Sequence, residues 1–244
     1  MTDRHAIIGD VHGCIEELEE LCEFLLEDAP DTRLVLTGDL LTKGPAPGAV
    51  ARYLEALRAD GVSVASVCGN HDLRLFAALL RVEAGFPMAR LPRAERDAIQ
   101  RLEVDGDVDA ALSLLGETVD RVSCSIGQAT VVHAGVRPEL GLTGTSRHDL
   151  IHLKSADGEP HWWERYDGRD GLLVVGHKPM RDPVYVHRDA RPTAINVDTG
   201  CVTGGRLTAY LLEADRFVAV ESRQSGRLGR VKGVLEQTPL ALAS

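Results

Sequence analysis

Residues 6–13 read Ala-Ile-Ile-Gly-Asp-Val-His-Gly, an apolar run that ends at a glycine and is followed by two metal-binding side chains, Asp10 and His12. Apolar residues then recur at three- and four-residue steps, with acidic residues between them: Ile15, Leu18, Leu21 and Leu25. This spacing predicts a short strand, a glycine-bounded turn and an amphipathic helix. A strand that leads directly into a helix is the unit from which α/β folds are built.

The same pattern continues outward from this stretch. Short runs rich in valine, isoleucine and leucine alternate with helical spacings, and we predict strands over residues 6–8, 34–37, 62–68, 129–133, 172–176, 194–197, 207–212 and 217–220. Pro45 and Pro47 precede a second helical pattern, which Gly61 ends. The fold class is therefore α/β, although the alternation by itself does not show how many sheets the strands form.

A single domain is predicted over residues 1–223. Between about 73 and 125 the spacing is helical almost throughout, with a proline-bounded break at residues 87–92, and we interpret this range as a helical insert near the site. Residues 224–244 combine glycine and basic residues with weak periodicity, so a loosely packed C-terminal tail is expected there.

Composition argues against several classes of protein. The chain has 244 residues, of which 44% are hydrophobic, and no stretch approaches the roughly 20 consecutive apolar residues that a membrane helix needs. A net charge of -10 argues against an extended nucleic-acid surface. A small phosphorylated substrate is still compatible with that charge, because bound metal ions can supply local positive charge. The five cysteines are an odd number without a Cys-x-x-Cys pair, which predicts free buried thiols and a reducing, cytoplasmic compartment.

Six side chains with metal-binding atoms stand directly after apolar runs and close to glycines: Asp10, His12, Asp39, Asn70, His133 and His177. Because ligands bind beyond the carboxyl ends of strands in open α/β sheets, we expect these residues to meet at one edge. Their mixed nitrogen and oxygen atoms suit manganese, iron, zinc, cobalt or nickel, and manganese is the ion we expect. Six ligands exceed the three protein ligands of one catalytic zinc, and an aspartate can bridge two ions, so two divalent metal ions are predicted.

Each of these residues also has an ordinary structural interpretation. Asp10 could cap the helix that begins near Ile15, and Asp39 or Asn70 could be turn residues, because Gly-Asp and Gly-Asn are common in loops. Taken singly, those interpretations are favoured. Taken as an ordered set, in which every member follows a predicted strand, the six residues favour metal binding.

The ordered motifs resemble those of a known family. The motif series of the calcineurin-like metallophosphoesterases is similar, in the same order, to five segments of this chain: Gly9-Asp-Val-His-Gly13, Gly38-Asp-Leu-Leu-Thr-Lys-Gly44, Gly69-Asn-His-Asp72, His133-Ala-Gly135 and Gly176-His177. The branch that the chain resembles holds phosphoprotein phosphatases and symmetrical dinucleoside-tetraphosphate hydrolases. The likeness covers about residues 5–200, and residues 196–201 and 204–209 are similar to the bacterial members.

The resemblance implies a sandwich of two mixed β-sheets flanked by helices, with the metal ions where the strand ends meet. It also implies that Asp10 and His12 bind the first ion and that Asp39 bridges the two ions. The second ion would then be bound by three residues: Asn70, His133 and His177. A water or hydroxide between the ions would be the nucleophile, because metal coordination lowers the pKa of bound water to about 7.

Three further residues are candidates for catalytic roles. The resemblance implies that His71, next to Asn70, is the general acid that protonates the leaving oxygen. Lys43 is the expected contact for the phosphates of the substrate. Asp198 lies in an Asp-Thr-Gly-Cys motif, where it could close a turn or could support the metal ligands through hydrogen bonds.

Two positions depart from the phosphoprotein-phosphatase pattern Gly-Asp-x-x-Asp-Arg-Gly. Thr42 and Lys43 stand where those enzymes have an aspartate that orients the general-acid histidine and an arginine that clamps phosphate. Threonine cannot supply the charge that raises a histidine pKa, so His71 should be a weak acid unless Asp72 or Asp198 takes over that role. A phosphoanhydride needs little protonation of its leaving group, and Lys43 offers a flexible point charge that suits a polyphosphate chain.

These departures favour a dinuclear-metal phosphohydrolase that acts on phosphoanhydrides such as diadenosine tetraphosphate, with inorganic polyphosphate and capped RNA as minor alternatives. A serine/threonine or tyrosine protein phosphatase on the same site is the main alternative. The expected partner is therefore a phosphorylated small molecule or a phosphoprotein, and no membrane partner is expected. A non-catalytic regulator that binds nucleotide or protein through the helical insert is disfavoured, because all six ligand positions and His71 are intact.

Other polar and aromatic side chains lie outside these motifs. Trp162 and Trp163 are interpreted as core packing rather than as a base-stacking platform. Three basic residues could add charge to a substrate groove but need no such role: Arg137, Arg165 and Lys178. The remaining histidines are interpreted as surface or polar core residues: His5, His148, His152, His161 and His187.

Overall fold

The computed structural model of the protein describes residues 4–27, 29–156, 158–224 and 234–237. Its helices are α1 (Ile15–Glu27), α2 (Pro47–Ala59), α3 (Asn70–Glu83), α4 (Arg93–Asp105), α5 (Val108–Thr118), α6 (Gly141–Gly144), α7 (Arg147–His152) and α8 (Trp162–Arg165). Its strands are β1 (His5–Ile8), β2 (Arg33–Leu36), β3 (Val64–Ser66), β4 (Ser123–Ile126), β5 (Ala129–Val132), β6 (Leu172–Val175), β7 (Val184–Arg188), β8 (Arg191–Asn196), β9 (Asp198–Thr199), β10 (Arg206–Leu211), β11 (Arg216–Glu221) and β12 (Val234–Gln237).

Two mixed sheets hold these strands. The first sheet has the order β12-β11-β10-β1-β2-β3, with β9 paired to β10, and its strands β1, β2 and β3 are parallel. The second sheet has the order β4-β5-β6-β8-β7, and its three central strands are parallel. In each sheet the parallel strands therefore bring their carboxyl ends to one edge, where a ligand site is expected.

The two sheets pack face to face as a sandwich. Successive side chains of a strand point to opposite faces, so Ile7 of β1 belongs to the core between the sheets, together with Val35, Val174 and Ile195. Its neighbour Ile8 belongs to a second core, which α1 and α2 cover. A third core lies on the outer side of the second sheet and includes both tryptophans of α8. The predicted sandwich of two mixed sheets flanked by helices is confirmed.

The range that we interpreted as a helical insert contains most of α3, all of α4 and α5, and β4. A 3-10 turn at Met88–Arg90 separates α3 from α4, where the prolines predict an interruption. An ion pair between Arg74 Nη2 and Glu95 Oε1, 2.7 Å apart, joins α3 to α4. Because α3 begins at Asn70 rather than at the predicted Leu73, Asn70 and His71 lie in the first turn of a helix.

Each of the eight predicted strands is present, whereas β4, β7, β9 and β12 were not predicted. β4 and β7 are the edge strands of the second sheet and carry fewer apolar residues, which explains their weak sequence signal. β12 lies within the range predicted as a loose tail and pairs with β11. Apart from β12 and Gln224, that tail lies outside the described residues.

The five cysteines are free thiols: Cys14, Cys22, Cys68 and Cys201 are buried, and Cys124 is half-buried. This agrees with the prediction from their number and spacing. No helix within the described ranges is long and apolar enough to cross a membrane.

Candidate dinuclear metal site

Five of the predicted metal ligands lie in the loops that follow β1, β2, β5 and β6, and Asn70 is the first residue of α3, which follows β3. The six residues are Asp10, His12, Asp39, Asn70, His133 and His177. Both sheets therefore contribute to the site. The side chains of five of these residues are buried, and that of His177 is half-buried. Polar groups that are removed from water in this way require partners, and a bound cation is one such partner.

The backbone of these loops adopts uncommon conformations. His12, Asp39, Lys43 and His177 have positive φ angles of 48°, 55°, 69° and 70°. They account for four of the seven non-glycine residues with positive φ in the described chain. Such residues are sparse in proteins and concentrate at functional sites, where the surrounding structure holds them in place.

Two glycines allow the loops to approach each other closely. A methyl group on Gly176 would lie 2.0 Å from Asp10 Oδ1, and one on Gly69 would lie 2.2 Å from Asp39 Oδ1. A larger residue at either position would displace a carboxylate. These contacts explain the glycines that precede Asn70 and His177 in the sequence.

Three ligand atoms from the two sheets converge at one point. His177 Nδ1 lies 3.0 Å from Asn70 Oδ1 and 3.1 Å from His133 Nε2. The carbonyl of Thr37 accepts a hydrogen bond of 2.7 Å from His133 Nδ1, which leaves Nε2 with a free lone pair. Two imidazole nitrogens and an amide oxygen in this arrangement could hold a divalent cation.

Asp39 stands between this group and the loop that carries His12. Its Oδ1 lies 3.6 Å from His133 Nε2, and its Oδ2 lies 3.4 Å from His12 Nε2. One carboxylate therefore offers an oxygen to each side, as a ligand that bridges two cations must. The backbone N–H of His71 donates to Oδ1 at 2.8 Å and helps to hold the carboxylate in this orientation.

Asp10 completes the first group of ligands. Its Oδ1 accepts a hydrogen bond of 3.0 Å from the hydroxyl of Thr37, and the backbone N–H of His177 donates to its Oδ2 at 3.1 Å. Ligand atoms of Asp10, His12 and Asp39 all lie within 4.8 Å of one another. This group could hold one divalent cation, next to the cation that Asn70, His133 and His177 could hold.

Lys43 and Thr42 both contact His12. Lys43 Nζ donates to His12 Nε2 at 2.9 Å, and the hydroxyl of Thr42 lies 3.2 Å from Nδ1 of the same ring. The ammonium group therefore stands at the rim of the first ligand group, within reach of a phosphate bound there. Thr42 is buried and its hydroxyl serves His12, so it does not orient His71.

Burial and the repulsion between like charges shift the pKa values of the candidate metal ligands. Burial raises the pKa of Asp39 to about 6, and burial together with the charges of Asp198 and Asp39 raises the pKa of Asp10 well above its usual range. Burial lowers the pKa of His133 to about 3, so this imidazole is neutral at neutral pH. Neutral imidazoles next to carboxylates that repel one another are stabilised by divalent cations. The donor atoms and their charges therefore fit two such ions.

His71 lies beside the candidate ligands, and its side chain has no carboxylate partner among the described residues. Its ring centroid is 5.3 Å from that of His12, and its buried Nδ1 has no hydrogen-bond partner among the described residues. Burial, with the nearby charges of Lys43 and Arg74, lowers the pKa of His71 to about 3. A neutral imidazole of this kind is a poor proton donor at neutral pH.

Asp72 is fully engaged by backbone amides. Its carboxylate accepts hydrogen bonds of 2.7, 2.8 and 3.0 Å from the N–H groups of Asp39, Leu40 and Gly69. It therefore positions the loop that carries Asp39. In this position it does not replace the acid partner that is missing at Thr42.

Asp198 closes its own turn and also faces the site. Its Oδ1 accepts a hydrogen bond of 2.9 Å from the N–H of Gly200, and its charge contributes to the raised pKa of Asp10. Burial raises the pKa of Asp198 itself to about 6. The structure therefore shows the turn, whereas no hydrogen bond among the described residues joins Asp198 to a candidate metal ligand.

Three residues near the site have no counterpart in the sequence analysis. Thr37 contacts both Asp10 and His133, and the charges of Arg74 and Lys154 lower the pKa of Asp39. None of the three lies in a motif with a metal-binding residue type, so no local signal marks it. Their roles depend on which strands and helices the fold places side by side.

The two tryptophans and the basic residues discussed from the sequence differ in their burial. Trp162 and Trp163 are both buried, as core packing predicts. Arg137 forms an ion pair of 2.7 Å with Asp149, whereas Lys178 is exposed beside His177.

Comparisons with known proteins are consistent with this geometry. The family model for calcineurin-like phosphoesterases matches residues 4–213. The chain is 31% identical over 240 residues to the bis(5'-nucleosyl)-tetraphosphatase PrpE [asymmetrical] of Halalkalibacterium halodurans, which covers 89% of this chain and 94% of the relative. It is 34% identical over 285 residues to the symmetrical bis(5'-nucleosyl)-tetraphosphatase of Edwardsiella ictaluri, with 91% and 97% covered.

A solved structure of a candidate diadenosine tetraphosphatase has the same fold. It matches with a TM-score of 0.67 at 24% identity and covers 92% of this chain and 96% of that chain. The likeness extends over both sheets of the sandwich.

Proposed function

Because this chain belongs to the calcineurin-like phosphoesterase family and is a metal-dependent hydrolase, we propose that it cleaves the phosphoanhydride bonds of dinucleoside tetraphosphates such as diadenosine tetraphosphate. The names of its symmetrical and asymmetrical relatives support this substrate class. The observation that carries the choice is the environment of His71, whose Nδ1 has no hydrogen-bond partner among the described residues.

Two divalent ions, for which we propose manganese, are assigned to the site. We assign Asp10 and His12 to one ion, Asp39 to both, and the remaining ligands to the other: Asn70, His133 and His177. When bound, the ions supply an activated water and neutralise charge on the phosphoryl group. The carboxylate and amide oxygens support manganese, whereas the imidazole nitrogens also suit iron, zinc or nickel.

The lack of an acid partner at His71 supports an anhydride substrate. A serine alkoxide is a poor leaving group and needs a proton in the transition state, whereas a phosphate leaves as a stabilised anion. Thr42 contacts His12, and Asp72 is engaged by backbone amides, so neither raises the pKa of His71. We therefore expect esters of alkyl alcohols to be slow substrates.

The position of Lys43 also supports a phosphoanhydride substrate. Its Nζ reaches His12 Nε2 at 2.9 Å, so the ammonium lies at the rim of the metal ligands. A cation held by His12 would compete with this hydrogen bond and would leave the ammonium free to contact the phosphates of the substrate. A flexible ammonium can follow a chain of phosphates, whereas an arginine fork suits one fixed phosphoryl group.

The proposal is tested by comparing substrates on the manganese-loaded protein. We expect kcat/KM on diadenosine tetraphosphate to exceed that on a phosphoserine peptide by about 100-fold or more, the factor that general acid catalysis commonly contributes. Higher efficiency on the peptide would refute the anhydride proposal in favour of a protein phosphatase. Chromatography of the products, as two ADP or as ATP and AMP, identifies the bond that is cleaved.

Two controls accompany this comparison. His133→Ala and Asp39→Asn should lose activity together with bound metal, as measured by elemental analysis. His187→Ala, on the edge strand β7 and outside the site, should keep both.

We also propose that the protein acts in the cytoplasm. Its five free cysteines support a reducing compartment, because thiols in oxidising compartments usually form disulfides.

A further inference from the structure

A cavity of about 260 Å³ opens beside the ligands of the second ion. Its wall includes His177 and Lys178 from the loop after β6, Lys154 from the segment after α7, and His161 and Trp163 from the start of α8. Of these residues, only His177 takes part in the proposed metal binding. The cavity therefore adjoins the reaction centre without belonging to it.

A stack of three rings forms one wall of this cavity. Trp162 Nε1 donates a hydrogen bond of 3.0 Å to the carbonyl of Ala134, next to the ligand His133. Trp163 packs edge-to-face on Trp162, and His161 stacks on Trp163 with ring centroids 4.4 Å apart and planes 25° apart. Both tryptophans are buried and His161 is half-buried, so the imidazole is the most accessible of the three rings.

Two ammonium groups line the same cavity. Lys154 and Lys178 are exposed, and neither forms an ion pair with a described residue. The chain as a whole has a net charge of -10. Two ammonium groups without an ion-pair partner among the described residues, next to a site that acts on phosphates, therefore indicate the direction in which the phosphates of the substrate leave that site.

We propose that this cavity binds one nucleoside of the substrate, with its base stacked on His161 and its phosphates held by Lys154 and Lys178. The inference rests on the proposed function, since it extends the substrate outward from the same metal ligands. Its volume is below the usual range for a drug-sized ligand, which suits one nucleoside rather than a whole dinucleotide. Aromatic rings bind bases by stacking with little sequence preference, so other bases should bind in the same place.

Equilibrium binding tests the cavity without relying on hydrolysis. The chain has two tryptophans, and both lie in the stack, so intrinsic fluorescence reports directly on the cavity. Titration of the manganese-loaded protein with AMP should change the emission and saturate, whereas inorganic phosphate should leave it unchanged. His161→Ala should weaken AMP binding roughly 10-fold, within the range measured for one base stacked on an aromatic ring, and His161→Phe should retain it.

Steady-state kinetics on diadenosine tetraphosphate and on inorganic tripolyphosphate separate the role of the His161 ring from the role of the lysine charges. His161→Ala should raise KM for diadenosine tetraphosphate and leave KM for inorganic tripolyphosphate unchanged. Lys154→Ala should raise KM for both, with kcat changed less than about twofold, because an exposed cation acts mainly on binding. His187→Ala provides the matched histidine control.

The outcomes separate this inference from the proposed function. If AMP affinity does not depend on His161, or if His161→Ala affects tripolyphosphate as much as the dinucleotide, the cavity does not bind the base. If the wild-type protein fails to cleave diadenosine tetraphosphate but His161→Ala still loses AMP, the substrate proposal fails and the nucleoside cavity stands.

Discussion

At the scale of single residues, the surroundings of His71 decide which leaving groups the site can serve. An imidazole that acts as a general acid commonly needs a carboxylate on its far nitrogen, which holds the ring and raises its pKa. Here Nδ1 is buried and has no hydrogen-bond partner in the part of the chain that the structure describes, and burial lowers the pKa of His71. The chemistry that this residue can assist is therefore limited to leaving groups that need little protonation.

Restoring the carboxylate should change that preference. We expect Thr42→Asp combined with Lys43→Arg to raise turnover of an alkyl phosphomonoester by about 10-fold or more, because a carboxylate close to the site makes a histidine a better acid. Turnover of diadenosine tetraphosphate should change much less. Steady-state kinetics on both substrates provides the measurement, and equal increases on both would contradict the leaving-group argument.

Removing the imidazole is the complementary experiment. His71→Ala should lower kcat on diadenosine tetraphosphate by less than about 10-fold, because the anhydride leaves without much protonation. Metal content should stay at the wild-type value, since His71 is not among the proposed ligands. A loss of about 1,000-fold on the anhydride with metal retained would show that His71 is an effective acid after all.

At the scale of elements, the site depends on how closely the loop after β6 approaches the loop after β1. The backbone N–H of His177 donates to the carboxylate of Asp10, and Gly176 has no room for a side chain. The two loops belong to different sheets, so this contact also determines how the two groups of ligands face each other.

A methyl group at this contact should therefore remove metal without unfolding the protein. Gly176→Ala places a carbon 2.0 Å from Asp10 Oδ1 and 2.5 Å from Thr37 Oγ1, so Asp10 must move. We expect elemental analysis to show less than about half of the wild-type metal, because ligands must keep their geometry to bind divalent ions. Circular dichroism should show that secondary structure is preserved.

Gly116→Ala, in the interior of α5, is the matched control. Its nearest neighbour would be Phe76 at 3.8 Å, an ordinary van der Waals contact. Alanine in a helix interior is favoured over glycine by roughly 0.5–1 kcal/mol, so this variant should keep its metal and be at least as stable as the wild type. If Gly176→Ala kept its full metal content, the loops after β1 and β6 could move apart without loss of metal binding.

At the scale of the whole molecule, the buried carboxyl groups link metal binding to pH. Burial raises the pKa of Asp39 and of Asp198 to about 6 from the usual 3.8 when no cation is bound. A raised pKa contributes stability below about pH 4 that is lost as the pH rises through about 6, where ionised carboxylates repel one another. Divalent ions bind the ionised form and should replace the lost stability.

The stabilisation by manganese should therefore grow with pH. We expect Mn²⁺ to raise Tm more at pH 7.5 than at pH 5.5, by roughly 3 °C. For a chain of this size, that difference corresponds to about a tenfold change in the affinity of the protein for Mn²⁺. His133 adds nothing across this window, because its pKa of about 3 keeps it neutral. Differential scanning calorimetry provides the measurement, with Asp39→Asn as the variant in which the difference should shrink. Equal shifts at both pH values would show that the carboxyl groups do not limit binding.

The parts of the fold and of the candidate site that the sequence predicted share one property. Each depends on residues that are close together in the chain. The strand before Gly9, the helix after it, and the ligand types from Asp10 to His177 all follow from apolar runs, helical spacing and glycine turns within about ten residues. The α/β class, the strand-end positions of the candidate ligands and the departures at Thr42 and Lys43 were therefore determined by the sequence itself.

Only the tertiary structure decided the relations between residues that are distant in the chain. It placed one oxygen of Asp39 toward each group of ligands, gave the Asp72 carboxylate to backbone amides, and put Lys154 and His161 beside His177. The edge strands β4 and β7 also became visible only there. The physical reason is that local sequence sets backbone conformation, whereas contacts between loops depend on how two sheets and their helical layers pack, and packing leaves no signal within a short window of sequence.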